Sequence, residues 1–271
     1  MVSRVGILLL IELSSIYIKL SLIITMVDLT QRQIDILRAI IKEYTETGEP
    51  VGSDILEKKY KLGVSPATIR NEMVELAKKG YLKKTHFSSG RVPSAVGFRF
   101  YIKNLVKEKE LSTNDEVAYK NSVWDERSET HRLLSQATKV LSARTGLLSL
   151  SATNLGDVYY AGVGNLLTKP EFYNLELSRN LFDKLDEVAF WERILDQFST
   201  MQEEVLFMLG EEDFRDPMFE SCASVFGEFE GAKIKGIIGV VGPKRMYYDV
   251  IIPQIKYFSG LLEEIINDQK T

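Results

Sequence analysis

Thr68, Arg70 and Asn71 are the residues whose types and spacing best fit a chemistry. They lie in the run V-S-P-A-T-I-R-N, Val64 to Asn71. Threonine, arginine and asparagine side chains bond base edges and phosphates, and at the first turn of a helix they can reach into a major groove. Local signals predict that turn. Ser65 is a good N-cap, because its side-chain oxygen can accept from an otherwise unpaired backbone N–H. Pro66 then takes the first helical position, where its missing N–H costs nothing. Val64 and Ile69 can close a hydrophobic staple across the cap. Ile69, Met73 and Leu76 form one apolar stripe at i, i+4, i+7, so Thr68, Arg70 and Asn71 face outward.

The neighbouring elements must hold this helix. Thr30 and Gln33 make a capping box, with Leu29 and Ile34 as a second staple. Ile34, Leu37, Ile40, Ile41 and Tyr44 continue a helical stripe that ends near Gly48. A short helix fits Ser53 to about Tyr60, with Ile55, Leu56 and Tyr60 inward. Lys61 to Val64 is the four-residue turn that a helix-turn-helix needs. Lys79-Gly80 ends the next helix, since glycine suits the left-handed C′ position. Tyr81 to Phe87 reads as a strand, Ser88-Ser89-Gly90 as its turn, and Arg91-Val92-Pro93 as the return. Three helices followed by such a hairpin make a winged helix, with Lys83, Lys84, Ser88 and Arg91 on the wing.

Charge points the same way. The 271-residue chain is mildly acidic, at −4. From Met26 to Lys107 there are fifteen Lys and Arg against nine Asp and Glu, a net +6; from Glu108 to Thr271 there are seventeen against twenty-eight, a net −11. A basic N-terminal module on an acidic body is the electrostatic pattern of a nucleic-acid reader with a protein-facing part.

Three blocks carry a resemblance to a known family. They are L-T-Q-R-Q-I-D-I-L-R-A-I-I-K-E-Y-T-E-T-G-E-P-V-G-S, V-S-P-A-T-I-R-N-E-M and S-S-G-R-V-P-S-A-V-G-F-R-F-Y-I. They strongly resemble the heat-inducible transcription repressor HrcA family, almost without interruption from Leu29 to Val106. A-G-V-G-N-L-L-T-K-P-E-F (Ala161 to Phe172) and I-I-G-V-V-G-P-K-R-M-Y-Y-D-V-I-I-P (Ile237 to Pro253) look like that family's C-terminal GAF-like domain. In the family a long segment, with the first GAF-like strands and an inserted dimerisation domain, precedes the A-G-V-G-N-L-L motif. Here Thr145 to Ser151 runs almost directly into Val158-Tyr159-Tyr160, so the chain resembles a shortened member.

The fold class expected is α+β, an N-terminal winged helix-turn-helix followed by a reduced GAF-like mixed α/β domain. The winged helix would span 26–107, a polar linker 108–126, and an amphipathic helix plus the reduced GAF-like domain 127–271. That helix, Arg127 to Arg144, carries Leu133, Leu134, Ala137, Val140 and Leu141 at helical spacing. Strand candidates are Val158–Val163, Val205–Leu209 and Lys233–Val241. Helix candidates are Leu175–Leu185, Phe190–Phe198 and Ile251–Ile266, with Gly210 to Asp213 as an acidic turn. Residues 1–25 contain apolar runs interrupted by Glu12 and Lys19, whereas a spanning helix needs about twenty mostly apolar residues. They read as a dispensable upstream stretch before a start at Met26; a membrane-associating helix is the rival.

Catalytic signals are sparse. Two histidines, His86 and His131, and one cysteine, Cys222, make no metal-ligand pattern. Gly162-x-Gly164 and Gly239-x-x-Gly242 read better as tight turns beside strands than as phosphate cradles. Phe226, Phe229, Tyr247, Tyr248 and Tyr257 read as core or interface, with a small-molecule pocket among them as the alternative. No catalytic residue, cofactor or metal is expected. The DNA-binding set expected is Ser65, Thr68, Arg70, Asn71, Lys83, Lys84, Ser88 and Arg91. The resemblance implies a cytoplasmic repressor of chaperone genes at an inverted-repeat operator, with the chaperonin as a partner. A homodimer is expected, with Leu133, Leu134, Val140 and Leu141, or Ile255, Leu261, Leu262 and Ile265, as candidate pairing surfaces; burial of either stripe on its own domain is the more common outcome. A ligand-responsive regulator of other genes and a protein-interaction adaptor without DNA binding stay open.

Overall fold

The computed structural model describes residues 29–85, 90–200, 203–214 and 219–268. The expectations for residues 1–25, and those for His86 and Ser88, lie outside the described residues. The chain divides into two compact units, one ending at Leu105 and one beginning at Val106. Both mix helices with antiparallel strands, as an α+β chain should.

The first unit contains α1 (Gln31–Thr47), α2 (Ser53–Tyr60), α3 (Pro66–Lys78), strands β1 (Leu82–Lys84) and β2 (Arg91–Pro93), and α4 (Ala95–Asn104). The capping box at Thr30 and Gln33 forms, and Gly48 closes α1 in the left-handed region. Ile36, Leu37, Ile40 and Ile41 of α1 are buried against Leu56 of α2 and Ile69 and Leu76 of α3. Ile55 departs from the sequence reading: it is 45% exposed. Leu56 and Ser53, three residues apart, hold the inward face of this short helix, and Ile55 lies about 100° from Leu56 around the axis.

A two-turn lock joins α1 to α2. The Glu43 carboxylate, almost fully buried, meets the Lys59 ammonium at 2.6 Å and accepts from the Tyr60 hydroxyl at 2.9 Å. The hydrogen bond from Lys59 holds the Glu43 carboxyl below its usual range, and Glu43 and Glu46 together push Lys59 up.

β1 and β2 pair antiparallel with Lys83 opposite Val92 and Lys84 opposite Arg91. Val51 bonds Arg91 through both backbone groups, so β2 is held along both edges. Ser94 fastens this ribbon to the helices. Its hydroxyl donates to the Gly80 carbonyl at 2.6 Å and accepts from the Gly97 N–H at 3.0 Å, capping α4. Gly97 is needed there, since a Cβ would stand 2.3 Å from the Tyr81 carbonyl oxygen.

The second unit begins with α5 (Thr113–Trp124) and α6 (Thr130–Thr145). Strands β3 (Leu148–Thr153) and β4 (Val158–Ala161) follow, then α7 (Val163–Leu167), a 3-10 turn at Pro170–Phe172, α8 (Leu175–Leu185) and α9 (Val188–Thr200). Last come β5 (Val205–Leu209), α10 (Gly210–Phe214), β6 (Cys222–Glu230), β7 (Lys235–Pro243) and α11 (Tyr248–Asp268). The strands form one antiparallel sheet in the order β4-β3-β7-β6-β5. On one face Leu148, Leu150, Phe226, Ile237 and Val241 pack with Leu181, Trp191 and Ile194 of α8 and α9. The other face carries α6 and α11: Thr138 bonds Ser151 at 2.9 Å, and Gly227 leaves room for Ser259 and Ile255. A helix-covered antiparallel sheet of this kind is consistent with a GAF-like body.

The structure settles several further sequence expectations, some against the reading. The segment read as a linker, 108–126, carries α5 and is docked on its own unit. Ser112 caps α5, and Tyr119 and Val123 turn inward, Tyr119 stacking on Phe258 at 5.1 Å. Two buried side chains in twelve residues leave too little periodicity for a sequence reading. Pro253 anchors the approach to this helix. As a helical proline it leaves the Asp249 carbonyl four residues back without its usual partner, and the Lys109 N–H takes that carbonyl at 2.9 Å.

The two stripes offered as pairing surfaces take the core alternative instead. Leu133, Leu134 and Leu141 of α6 and Ile255, Leu261, Leu262 and Ile265 of α11 are all at most 4% exposed, and Val140 is half-buried. Gly210 to Asp213 forms a short helix rather than a turn, with the Asp213 carboxylate accepting from the Leu209 N–H at 2.6 Å. The aromatic set takes the core reading rather than the pocket one at Phe226, Phe229 and Tyr248, with Phe226 packed on Trp191 and Tyr248 on Phe207, while Tyr247 is 55% exposed.

Candidate nucleic-acid interface

The first turn of α3 is built as its residue types require. Ser65 adopts an extended N-cap conformation and its hydroxyl accepts from the Thr68 N–H at 3.2 Å, with Pro66 at the first helical position. Ile69, Met73 and Leu76 are buried at 0%, 4% and 0% exposure, which fixes the helix rotation. Arg70 and Asn71 are therefore exposed, side by side, on the opposite surface. Thr68 is half-buried, and its hydroxyl lies 3.0 Å from that of Ser65. Ser65 thus has a capping role first.

The far end of α3 closes in a Schellman turn. The Tyr81 N–H bonds the Leu76 carbonyl and the Gly80 N–H the Ala77 carbonyl, with Gly80 at φ +83°. Between the two ends, α3 is braced against α1. The Glu72 carboxylate accepts from Arg32 at 3.4 Å and from the Gln33 side chain at 3.0 Å. Lys79 reaches the other end of the same Gln33 amide at 3.3 Å. Gln33 therefore caps α1 and positions α3 at once. Sequence reasoning finds its capping role and misses the brace, because Glu72 and Gln33 are 39 residues apart.

The ribbon adds cations. Lys83 and Lys84 are exposed. Arg91 is half-buried and donates to the Gly90 carbonyl at 3.2 Å. Cross-strand partners share a face of the ribbon, so Lys84 and Arg91 present two like charges directly opposite each other.

Gly162 lies in a turn beside β4, as read, whereas Gly239 and Gly242 lie inside β7 and not in a turn, where neighbours leave no room for a side chain. Gly162, at φ +86°, starts α7 where a Cβ would stand 2.0 Å from the Ser142 hydroxyl. A Cβ at Gly239 would stand 2.2 Å from the Val225 carbonyl. Asn165 reaches the same Ser142 hydroxyl at 3.2 Å, so A-G-V-G-N binds α6 to the sheet. Glu171 and Arg245 form a two-pronged ion pair joining K-P-E-F to G-P-K-R-M, a link that sequence reading does not find. Burial pushes the Cys222 thiol up to about 12. Among the described residues no helix is long and apolar enough to cross a membrane.

Comparison with known proteins fits this architecture. The family described as HrcA protein C terminal domain matches residues 94–252. A heat-inducible transcription repressor HrcA of Desulforamulus reducens is 28% identical, in an alignment covering 88% of this chain and 97% of that protein. That alignment runs over 338 residues, more than this chain has, so the relative carries residues with no counterpart here. Its namesake from Clostridium perfringens strain 13 is 45% identical over 115 residues, which are 42% of this chain and 34% of that one. A crystal structure described as that of a hypothetical protein superposes with a TM-score of 0.69 at 18% identity, covering 89% of this chain and 100% of that one. It shares the fold. With more than half of its length matched by the family model and the Desulforamulus reducens repressor aligned along 88% of it, this chain belongs to the HrcA family.

Proposed function

We propose that this heat-inducible transcription repressor reads double-stranded DNA with its first unit, as a winged helix-turn-helix. In this reading α2 and α3 are the helix-turn-helix, α3 enters the major groove, and the β1–β2 ribbon is the wing. One observation carries it: burial of Ile69, Met73 and Leu76 leaves Arg70 and Asn71 exposed on the capped first turn of α3. Arg70 addresses guanine and Asn71 adenine, the pairings their donor and acceptor geometry favours. Lys83, Lys84 and Arg91 neutralise phosphate or enter the minor groove beside it. Ser65 and Thr68 lie where they can bond phosphate once the cap is formed, and Ser88 joins the wing set.

By family resemblance the target is an inverted repeat upstream of chaperone genes, and the chaperonin is the partner that keeps the repressor active in the cytoplasm. An inverted repeat calls for two copies of the reader. The apolar stripes of α6 and α11 are buried, so such a pair meets through another surface. Titrating the full chain onto DNA from upstream of the organism's own chaperonin genes tests the reading. A shifted complex that outcompetes random DNA supports it. Equal binding to both, or none at low salt, removes it.

A further inference from the structure

Strand β4 is one edge of the five-stranded sheet and bonds β3 alone. Its sequence, V-Y-Y-A, has neither the proline nor the charge that commonly blunts such an edge. Tyr160 is 53% exposed, and Leu155 in the hairpin leading to it is 66% exposed.

A hollow lies beside this edge on each face of the sheet. On one face Val158 and Tyr160 border a hollow of about 400 Å³ whose far wall is Trp191, Asp186 and Glu192. On the other, Tyr159 borders one of about 590 Å³ against Leu134, Ile234 and Ile266. Successive side chains of a strand point to opposite faces. A strand laid along β4 would therefore drop its residues into the two hollows in turn.

The hollows differ in chemistry. Asp186 and Glu192 are exposed, have no cationic partner among the described residues, and share a lining without lysine or arginine. The opposite hollow has Leu134, Ile234 and Ile266 on its wall, with Lys233 and His131 rather than an acidic pair among its polar residues and Asp157 as its one carboxylate. We propose that β4 is a docking edge for an extended segment of another protein in which lysine or arginine alternates with aliphatic residues. Main-chain bonds to the edge supply affinity, and the two hollows supply the pattern. The net −11 of residues 108–271 draws a cationic partner to this unit. A second copy of this chain fits less well. Two-fold pairing of β4 with its own copy keeps equivalent faces on one side, which sets the Asp186 and Glu192 hollows of both copies near each other with no cation between them. The proposal does not rest on how the first unit meets DNA.

The test uses the full chain and a labelled, end-blocked peptide of alternating lysine and valine, read by fluorescence anisotropy. The alternating peptide should bind saturably. N-methylation at every second residue, which removes the edge donors, should weaken it about tenfold, and D186N/E192Q should weaken it by a similar factor. A peptide of the same composition with lysines and valines in two blocks should bind much less. Equal binding of the blocked or N-methylated peptide would reduce the interaction to attraction by an acidic surface and overturn the proposal. So would a dimer in light scattering that Tyr160→Lys abolishes and the peptide does not compete, since the edge would then belong to a second copy.

Discussion

Replacing Ser94 by alanine removes a single oxygen that holds the ribbon to two helices. The residue is buried, at 4% exposure. Loss of the cap on Gly97 costs about 1 kcal/mol. Gly80 itself is exposed, so water can take over its carbonyl, and losing that second bond costs about 0.5–1.5 kcal/mol more. The expected loss is therefore about 1.5–2.5 kcal/mol, confined to the first unit. The sequence provides a way to see that confinement, because both tryptophans, Trp124 and Trp191, lie in the second unit. Urea unfolding followed by tryptophan fluorescence reports the second unit alone, whereas far-ultraviolet circular dichroism reports the helices of both. With a slope of about 1–2 kcal/mol per molar urea for a unit of this size, the first unit's transition should move down by about 1–2.5 M. The fluorescence midpoint should stay in place. Gly97→Ala should act in the same direction, since its Cβ would crowd the Tyr81 carbonyl at 2.3 Å. An unchanged dichroism midpoint in Ser94→Ala would refute the argument, and an equal fall in both signals would refute its confinement to the first unit.

Three other outcomes follow from the same geometry. Lys83→Ala/Lys84→Ala should lower the salt dependence of DNA binding by about one in log–log slope for each phosphate no longer neutralised; an unchanged slope removes the ribbon from the interface. Glu171→Ala leaves Arg245 without its carboxylate in a site where both side chains are less than a fifth exposed, and should destabilise the second unit by about 1–3 kcal/mol in the fluorescence melt. Cys222, with its thiol pushed up to about 12 by burial, stays protonated near neutral pH, so a thiol reagent should label it only after unfolding. Rapid labelling of the folded chain would contradict that burial.

The parts of the fold legible in the sequence are those encoded by neighbours. Thr30 and Gln33, Ser65 and Pro66, and Gly48 and Gly80 mark helix ends within a few residues, and the structure puts the caps there. Leu175–Leu185 and Val205–Leu209 are likewise legible to the residue. β3 is not, because its serines and leucines are buried on both faces, the serine side under α6. β6 is hidden by Ser224 and Gly227, which resemble turn residues; Gly227 is where α11 packs closely. The candidate interface divides in the same way. Arg70 and Asn71 follow from the period of α3, while the Gln33–Glu72 brace and the Ser94 clasp, like the Glu171–Arg245 pair of the second unit, join residues distant in sequence. No local pattern announces such long-range links.

The most direct test of the central claim compares Arg70→Ala with the unaltered chain on two DNAs, the segment upstream of the organism's chaperonin genes and a random duplex, at one salt concentration. Arg70 is exposed on a helix whose other face is buried, so its removal should leave the fold intact. A direct bond to a base edge is worth about 1–3 kcal/mol of discrimination, so affinity for the specific segment should fall about five- to 150-fold while random DNA is bound almost as before. An equal fall on both DNAs would place Arg70 on phosphate, and no fall on either would contradict the placement of α3 in the major groove.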